Sequence, residues 1–316
     1  MLFAIPPEIV LLDVAGPADA FRMANQERPQ SYRLRFVGPS RSPRTGIGLH
    51  LAALEPLPKK LAGESIVVVP GITTEAFDLD TPEMDALVEW LVRVGQDERA
   101  TIMCVCAGSV IAAKAGLLSG RECTTHHRHI DDLLRVDPSA RVHRDRLFVE
   151  DGRVYTSAGV TSGIDLTLYL IGQHLGAKCA AAVARDLVVY MRRSGNDPQL
   201  SAWVLHRNHI HPLVHKVQDA VMRNPAAPWS SERLAAIACT SPRHLARLFA
   251  EHAGCSPLEY VQRLRVALAR ELIANSDLAL ERVAERSGFS SAHHLRRVWR
   301  RWETSSPGRI RRSLHA

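Results

Sequence analysis

The last third of this chain contains the same pattern twice. Leu245, Arg247, Phe249 and Pro257 recur 50 residues later as Leu295, Arg297, Trp299 and Pro307. The earlier pair Leu234-Ala235 recurs after 49 residues as Val283-Ala284, so the second copy has one more residue in its turn. Each copy reads as a short helix, a tight turn and a second helix. Ser231 with Glu232 starts the first helix, and Ser290 or Ser291 can cap the last. Leu245, Leu248 and Phe249 share one face of the first copy's second helix; Leu295, Val298, Trp299 and Trp302 share one face of the other. An amphipathic helix joins the two copies over 257–275, with Leu258, Val261, Leu264, Leu268 and Leu272 in stripe. A plain helical bundle with a solvated Arg-rich face does not require aligned turn chemistry. Two successive helix-turn-helix units do.

The charge follows the repeat. Residues 209–316 carry 17 Lys+Arg against 9 Asp+Glu, whereas residues 1–208 carry 23 against 24. Beyond residue 228 all 15 basic residues other than histidine are Arg. Arginine is the choice where planar, bidentate recognition matters. Double-stranded DNA is therefore the expected partner of this module. The outward residues Arg243, His244, Arg247, Ser291, His293, His294, Arg296, Arg297, Arg300 and Arg301 are its candidate contacts. Arg243, His244, His293, His294 and Arg297 are candidates for bases; Arg300, Arg301, Arg309, Arg311 and Arg312 suit phosphate or solvent. Each second helix can enter a major groove, about 10 base pairs apart.

The first two-thirds follow a different rule. Ile66 to Gly71 is a β-branched run stopped by Pro-Gly, and Thr101 to Val105 is another; each precedes a helical stretch, near 82–95 and 108–117. Residues 147–150 and 154–157 flank an Asp-Gly turn and predict a hairpin. Ile164 to Ala184 predicts one buried helix. Strand–helix alternation argues an α/β domain with a largely parallel sheet. The pattern lapses over 190–208, which gives a domain at 1–190, a linker at 191–208 and a DNA-binding domain at 209–316.

Strand 101–105 runs into Cys106, after which Ala107-Gly108-Ser109 opens a helix. This strand–cysteine–helix elbow places a thiol at a helix N-terminus, where backbone N–H groups favour the thiolate. Such a cysteine can be a nucleophile, an oxidation sensor or a pocket-lining side chain. Cys123, His126, His127 and His129 are bunched on one segment without a second half, so no metal site is expected there. His206, His209, His211 and His215 lack a ligand spacing, and Cys179, Cys239 and Cys255 read as buried packing residues. No cofactor is expected. Apolar runs fall short of the ~18–20 residues of a membrane span. Met1 to Pro7 carries no basic n-region, and six dispersed cysteines are no disulfide framework. A cytoplasmic, nucleoid-associated chain is the expectation.

Residues 209–316 resemble the AraC/XylS-type DNA-binding domain through Val283-Ala284, Gly288-Phe289-Ser290-Ser291, Leu295, Arg297, Trp299-Arg300-Arg301 and Ser306-Pro307. Cys239 departs from that pattern where a turn glycine is usual, as do Glu303, Thr304 and Ile310 near the end. Residues 1–185 resemble the DJ-1/PfpI superfamily through Leu11 to Phe21, Val68-Val69-Pro70-Gly71, Val105-Cys106-Ala107-Gly108, Ala115 to Gly120, Thr124-Thr125-His126 and Thr156 to Asp165. The whole chain resembles the GlxA-type regulators, which join the two.

The resemblance implies a flavodoxin-like α/β domain with a pocket beside the elbow, followed by an all-α domain with two helix-turn-helix units. Asp13, Gly71, Ile72, Cys106, Ala107 and His126 are the implied pocket residues. It also implies a homodimer, an amine or amino-acid-like effector and, for an activator, RNA polymerase as a partner. Asp165 is expected to cap or position the helix after the hairpin. Asp13–Cys106 corresponds to the acid/base–nucleophile pair of the related isonitrile hydratases. Protease- and amidotransferase-like members have His directly after the cysteine, and here it is Ala107. A ligand-controlled regulator that is not an enzyme is therefore the reading. A Cys106-dependent hydratase or hydrolase fused to a DNA-binding domain, or a cysteine redox sensor, are the alternatives.

Overall fold

Three-residue to six-residue runs of β-branched and apolar side chains build the sheet of the N-terminal unit. In the computed structural model these are β1 (Leu2–Ala4), β2 (Arg35–Gly38), β3 (Glu55–Pro56), β4 (Ser65–Val69) and β5 (Ala100–Val105), with the short β3 the exception in length. Two short strands, β6 (Glu122–Cys123) and β7 (Arg141–Val142), form a separate parallel pair. The hairpin β8 (Phe148–Asp151) and β9 (Val154–Ser157) completes the main sheet. The helices are α1 (Leu11–Glu27), α2 (Pro82–Gly95), α3 (Gly108–Lys114), α4 (Ile130–Val136), α5 (Thr161–Leu175) and α6 (Ala177–Asp186). The structure describes residues 1–316 except 74–77, 190–192, 196–198, 200–205, 208, 304 and 315–316, and the side chains of 275 and 311–314. The expected linker over 191–208 lies largely outside the described residues. The chain divides into two compact units, residues 1–199 and 200–316.

The strand order is β3-β2-β1-β4-β5-β9-β8, parallel throughout except for the antiparallel β8–β9 edge. Successive side chains alternate between faces. Val67, Val69, Ile102 and Cys104 enter one core with α2 and α3, while Val68, Met103 and Val105 enter the other with α1, α5 and α6. A sheet covered by helices on both sides needs such continuous apolar strands, as the Ile66–Val69 run suggested. The helix expected over 164–184 is two helices. The chain breaks at Gly176, whose φ of +88° ends α5 and starts α6. Both helices then pack on the face that α1 occupies.

The second unit is all helical: α7 (Pro212–Arg223), α8 (Ser231–Ile237), α9 (Pro242–Ala253), α10 (Pro257–Asn275), α11 (Leu280–Arg286), α12 (Ala292–Trp299) and α13 (Pro307–Leu314). It has two cores that share α10. Tyr260, Val261 and Leu264 join the first with Leu234, Leu245 and Phe249; Val266, Ala269 and Ile273 join the second with Val283, Leu295 and Trp299. The buried stripe of α10 therefore changes course midway. Leu258, expected inside, is 40% exposed, and Leu268 and Leu272 are half-buried.

Candidate functional site: the paired helix-turn-helix and the Cys106 elbow

The second helix of each helix-turn-helix unit, α9 and α12, is started by the same device. Ser241 Oγ accepts from the His244 N–H at 3.3 Å, and Ser291 Oγ accepts from the His294 N–H at 3.1 Å. A side-chain oxygen at this position satisfies one of the four free donors of a helix start. Ser256 and Ser306 cap α10 and α13 in the same way, at 3.2 and 3.3 Å, each followed by proline. The starts of α8 and α11 differ by 49 residues and those of α9 and α12 by 50. The extra residue lies in the second turn. In the first turn Cys239, expected to be buried, is exposed because the turn carries it to the surface, and it adopts φ +50°, where the second has Gly288 at +83°. The missing glycine thus leaves the turn intact, at the cost of backbone strain.

Arg243, Arg247, Ser291, His293, Arg296, Arg297, Arg300 and Arg301 are exposed, and His244 and His294 half-buried. The two helices match position by position: Arg243 with His293, His244 with His294, Arg247 with Arg297. His244 Nδ1 lies 3.1 Å from Arg247 Nη2, and His294 Nδ1 lies 3.1 Å from Ser290 Oγ. Burial lowers the pKa of His294, helped by Arg297, Arg265 and His293. Ser291 has its hydroxyl engaged in the cap. Arg300 and Arg301 lie beyond the last residue of α12. Arg296 and Arg300 border a cleft of about 530 Å³ with Ile273, Leu280, Trp299 and Glu303. Glu303, which departs from the family pattern, pairs with Arg270 of α10 at 2.8 Å.

In the first unit Cys106 sits where β5 becomes α3. A straight strand would put Cys104 and Cys106 on one face, yet they lie in opposite cores. The reason is the backbone of Cys106, which leaves the strand with φ +57°. A left-handed non-glycine residue costs of order 1–3 kcal/mol and persists only where its surroundings hold it. Here three segments do so. Asp13 of α1 accepts from the Gly71 N–H at 3.2 Å through one oxygen and from the Val160 N–H at 2.9 Å through the other. Thr125 Oγ1 donates to the Cys106 carbonyl at 2.9 Å. Gly159, at φ +99°, lies so close that a Cβ there would come within 2.3 Å of Cys106 Cβ. At Gly71 a Cβ would meet Asp13 Oδ2 at 2.8 Å.

The electrostatics reverse one expectation. Burial pushes the Cys106 thiol well above the ordinary cysteine range, reinforced by the adjacent Asp13 charge, and the Ala107 N–H at the sulfur does not offset it. The helix start is present, but desolvation outweighs it. Burial also raises the Asp13 carboxyl from 3.8 to about 6, against the hydrogen bonds from Val160, Gly71 and the Cys106 thiol. Asp13, Ile72, Cys106 and Ala107 are all at most 5% exposed. Gly71 is buried beside them. His126 is half-buried and engaged with its own turn: its Nδ1 accepts from the Arg128 N–H at 3.4 Å, and burial with His127, His129 and Arg128 lowers its pKa to about 4.

Asp165 does not cap α5; its buried carboxylate holds Arg193 at 2.6 Å. Val160, Thr125 and Gln199 are contacts that sequence reading missed. Gln199 Nε2 donates to the Thr125 carbonyl at 2.9 Å across 74 residues, a separation with no periodic signal. Among the described residues no group of three or more His, Cys, Asp or Glu is placed to hold a metal ion. Among them, too, no helix is long and apolar enough to cross a membrane.

Known proteins share both halves. The DJ-1/PfpI family model matches residues 1–173, and a helix-turn-helix domain model matches residues 234–313. The chain is 30% identical to the HTH-type transcriptional regulator CdhR of Pseudomonas aeruginosa, over 99% of this chain and 91% of that protein. It is 30% identical to the HTH-type transcriptional regulator GlxA of Rhizobium meliloti, over 66% of this chain and 64% of that protein. A crystal structure of an AraC family transcriptional regulator from Pseudomonas putida superposes with a TM-score of 0.50 at 21% identity, covering 59% of this chain and 97% of that one. The chain belongs to the DJ-1/PfpI family and, over its full length, to the HTH-type transcriptional regulators that join such a domain to an AraC-type helix-turn-helix domain.

Proposed function

We propose that this regulator binds a promoter site through residues 209–316 under the control of a small molecule bound in residues 1–190, with 191–208 as the linker. The observation that carries the DNA reading is the pair of serine-capped helices α9 and α12, which expose Arg243 with Arg247 and His293 with Arg297 at matching positions. Arg243, His244, His293, His294 and Arg297 are assigned to bases. Arg247, Arg296, Arg300 and Arg301 are assigned to the backbone, and Ser291 to holding α12. The effector site is assigned to Asp13, Gly71, Ile72, Cys106, Ala107 and His126. The effector class is amine or amino-acid-like, which a buried carboxyl such as Asp13 suits. A homodimer, contact with RNA polymerase in activation, and a cytoplasmic, nucleoid-associated setting complete the reading.

The neutral thiol of Cys106 supports a ligand pocket over a nucleophile, since the thiolate is the reactive form. The test is operator binding by fluorescence anisotropy, using DNA selected from a random library by the full chain. Arg243→Ala and Arg297→Ala are each expected to weaken specific binding by about 1–3 kcal/mol. Unchanged affinity in both would refute readout by these helices. Cys106→Ser is expected to retain metabolite-dependent operator binding. Substrate turnover by the wild type that this variant abolishes would instead establish the enzyme alternative.

A further inference from the structure

Helices α9 and α12 carry the same pair of side chains, and only one of the two pairs is closed. Arg247 follows His244 by three residues in α9, and Arg297 follows His294 by three in α12. Residues three apart on a helix are neighbours, so each arginine is within reach of its histidine. In α9 the two meet: Arg247 Nη2 lies 3.1 Å from His244 Nδ1. A guanidinium only donates, so Nδ1 accepts, and the proton of the neutral ring sits on Nε2. In α12 the pair is open, and Arg297 has no hydrogen-bond or ion-pair partner among the described residues.

Ser290 accounts for the difference. Its Oγ lies 3.1 Å from His294 Nδ1. An imidazole nitrogen makes one hydrogen bond, so with Ser290 on it Nδ1 has none left for Arg297. The buried Phe289 ring meets the His294 ring edge-on, with centroids 5.4 Å apart at 82°, and supports it on that side. Counted back from the capping serines, Thr240 stands where Ser290 does. The first turn is one residue shorter and does not bring the Thr240 hydroxyl to His244, which leaves that Nδ1 to Arg247. Burial, with Arg297 beside it, lowers the pKa of His294, so near neutral pH the ring is uncharged and able to accept from an arginine once Ser290 is gone.

The consequence is for readout. Arginine recognises guanine by aligning two N–H donors with O6 and N7. The fork of Arg297 is free to do so, whereas the fork of Arg247 is tied to its own helix and turns to a base edge only by breaking that bond. We propose that the two helix-turn-helix copies read unequal half-sites, with Ser290 as the positioning residue that frees Arg297 to specify a guanine and His244 as the one that holds Arg247 off the bases. The proposal rests on the regulator reading above, and within it on base contact by α12.

The test is fluorescence anisotropy at one salt concentration, using the full chain, the operator selected from a random library, and duplexes with single base-pair changes. The ratio of the two affinities is the discrimination at each pair. Arg297→Ala identifies the pair that Arg297 reads, as the one whose change no longer matters. Ser290→Ala is expected to lower discrimination at that pair at least threefold, with the melting temperature within a degree or two of wild type and affinity for random-sequence DNA within twofold. Ser290→Thr, which keeps the hydroxyl, should retain it. In a His294→Ala background Ser290→Ala should change nothing, because the histidine it would release is absent. His244→Ala is expected to raise discrimination in the other half-site at least threefold, and only where Arg247 is present. Wild-type discrimination in Ser290→Ala, or an equal loss in the His294→Ala background, overturns the role of Ser290. No gain in His244→Ala overturns the role of His244. If Arg297→Ala leaves discrimination intact at every pair, base readout by α12 fails instead; that result is separate, since it needs no Ser290 variant.

Discussion

Asp13 gives the sharpest test of the elbow, because its carboxyl is buried and its pKa is displaced. Its folded-state value is raised from 3.8 to about 6. At 1.36 kcal/mol per pKa unit, that displacement is worth about 3 kcal/mol. For an acid raised in the folded state, this stability is fully present below the unfolded value and is lost as pH rises through the folded value. The first unit is thus expected to lose up to about 3 kcal/mol between pH 4 and 6, and to change little from this source above pH 7. Asp13→Asn removes the titration. The asparagine side chain has one acceptor oxygen for two N–H donors, so the lost acceptor costs the variant about 1–3 kcal/mol, a cost that does not itself vary with pH. The assay is urea unfolding of the full chain, with pulse-labelled exchange at the β5 peptide reporting the first unit. The difference between wild type and variant cancels every other titrating group. That difference should shift by about 3 kcal/mol across pH 4–6, against the wild type as pH rises. Parallel profiles would refute the argument, since the carboxyl would then be ionised throughout and burial would not govern it.

Gly159→Ala puts a Cβ within 2.3 Å of Cys106 Cβ and 2.7 Å of Cys106 Cα at a left-handed φ. It should destabilise the first unit by about 3 kcal/mol or more, and Cys106→Ala in the same chain should not rescue it, because Cα and Cβ remain; thermal unfolding reads both. Cys239→Gly relieves the +50° φ of the first turn. A gain of up to about 1 kcal/mol in the second unit, with operator affinity unchanged, is the expected result by urea unfolding. Trp299 is 1% exposed. Trp299→Ala should cost about 3–5 kcal/mol and abolish DNA binding through loss of the second core, visible as a lost unfolding transition. Operator affinity should fall linearly in log–log terms with salt, and Arg247→Ala should flatten the slope by about one if that side chain meets a phosphate.

Residues with a short-range pattern were readable from the sequence; those defined by distant neighbours were not. The 49- and 50-residue spacings placed α8, α9, α11 and α12 because capping serines, N-terminal prolines and apolar faces are local signals. The Asp-Gly turn placed β8 and β9 for the same reason. Gly176 was missed because a glycine inside an apolar run reads as a tolerated interruption, and only its φ of +88° makes it a break. Periodicity did not find α1, which contains Pro17. At Cys106 the strand-to-helix elbow was legible, but its ionisation was not. Helix start and burial act on the thiol in opposite directions, and burial is a property of the packed fold. Gln199, Val160 and Asp165 act through partners 28 to 147 residues away, where no sequence period reaches.

In the proposed function, control enters from outside the second unit. Among the described residues, the guanidinium groups of Arg243 and Arg297 are exposed and have no hydrogen-bond or ion-pair partner, so nothing within that unit masks them. The spacing between α9 and α12 is not adjustable at low cost either. Tyr260, Val261 and Leu264 commit α10 to one core, and Val266, Ala269 and Ile273 commit it to the other. Arg265 ties α10 to the carbonyls of Pro225 and Ala227 at 2.9 and 2.8 Å, and Arg270 ties it to Glu303. Moving one reading helix against the other means opening a core, which costs several kcal/mol for each large side chain exposed. Throwing a two-state switch from 1:99 to 99:1 takes about 5.5 kcal/mol of differential binding in all. An effector limited to that much shifts only an equilibrium whose two states differ little in packing.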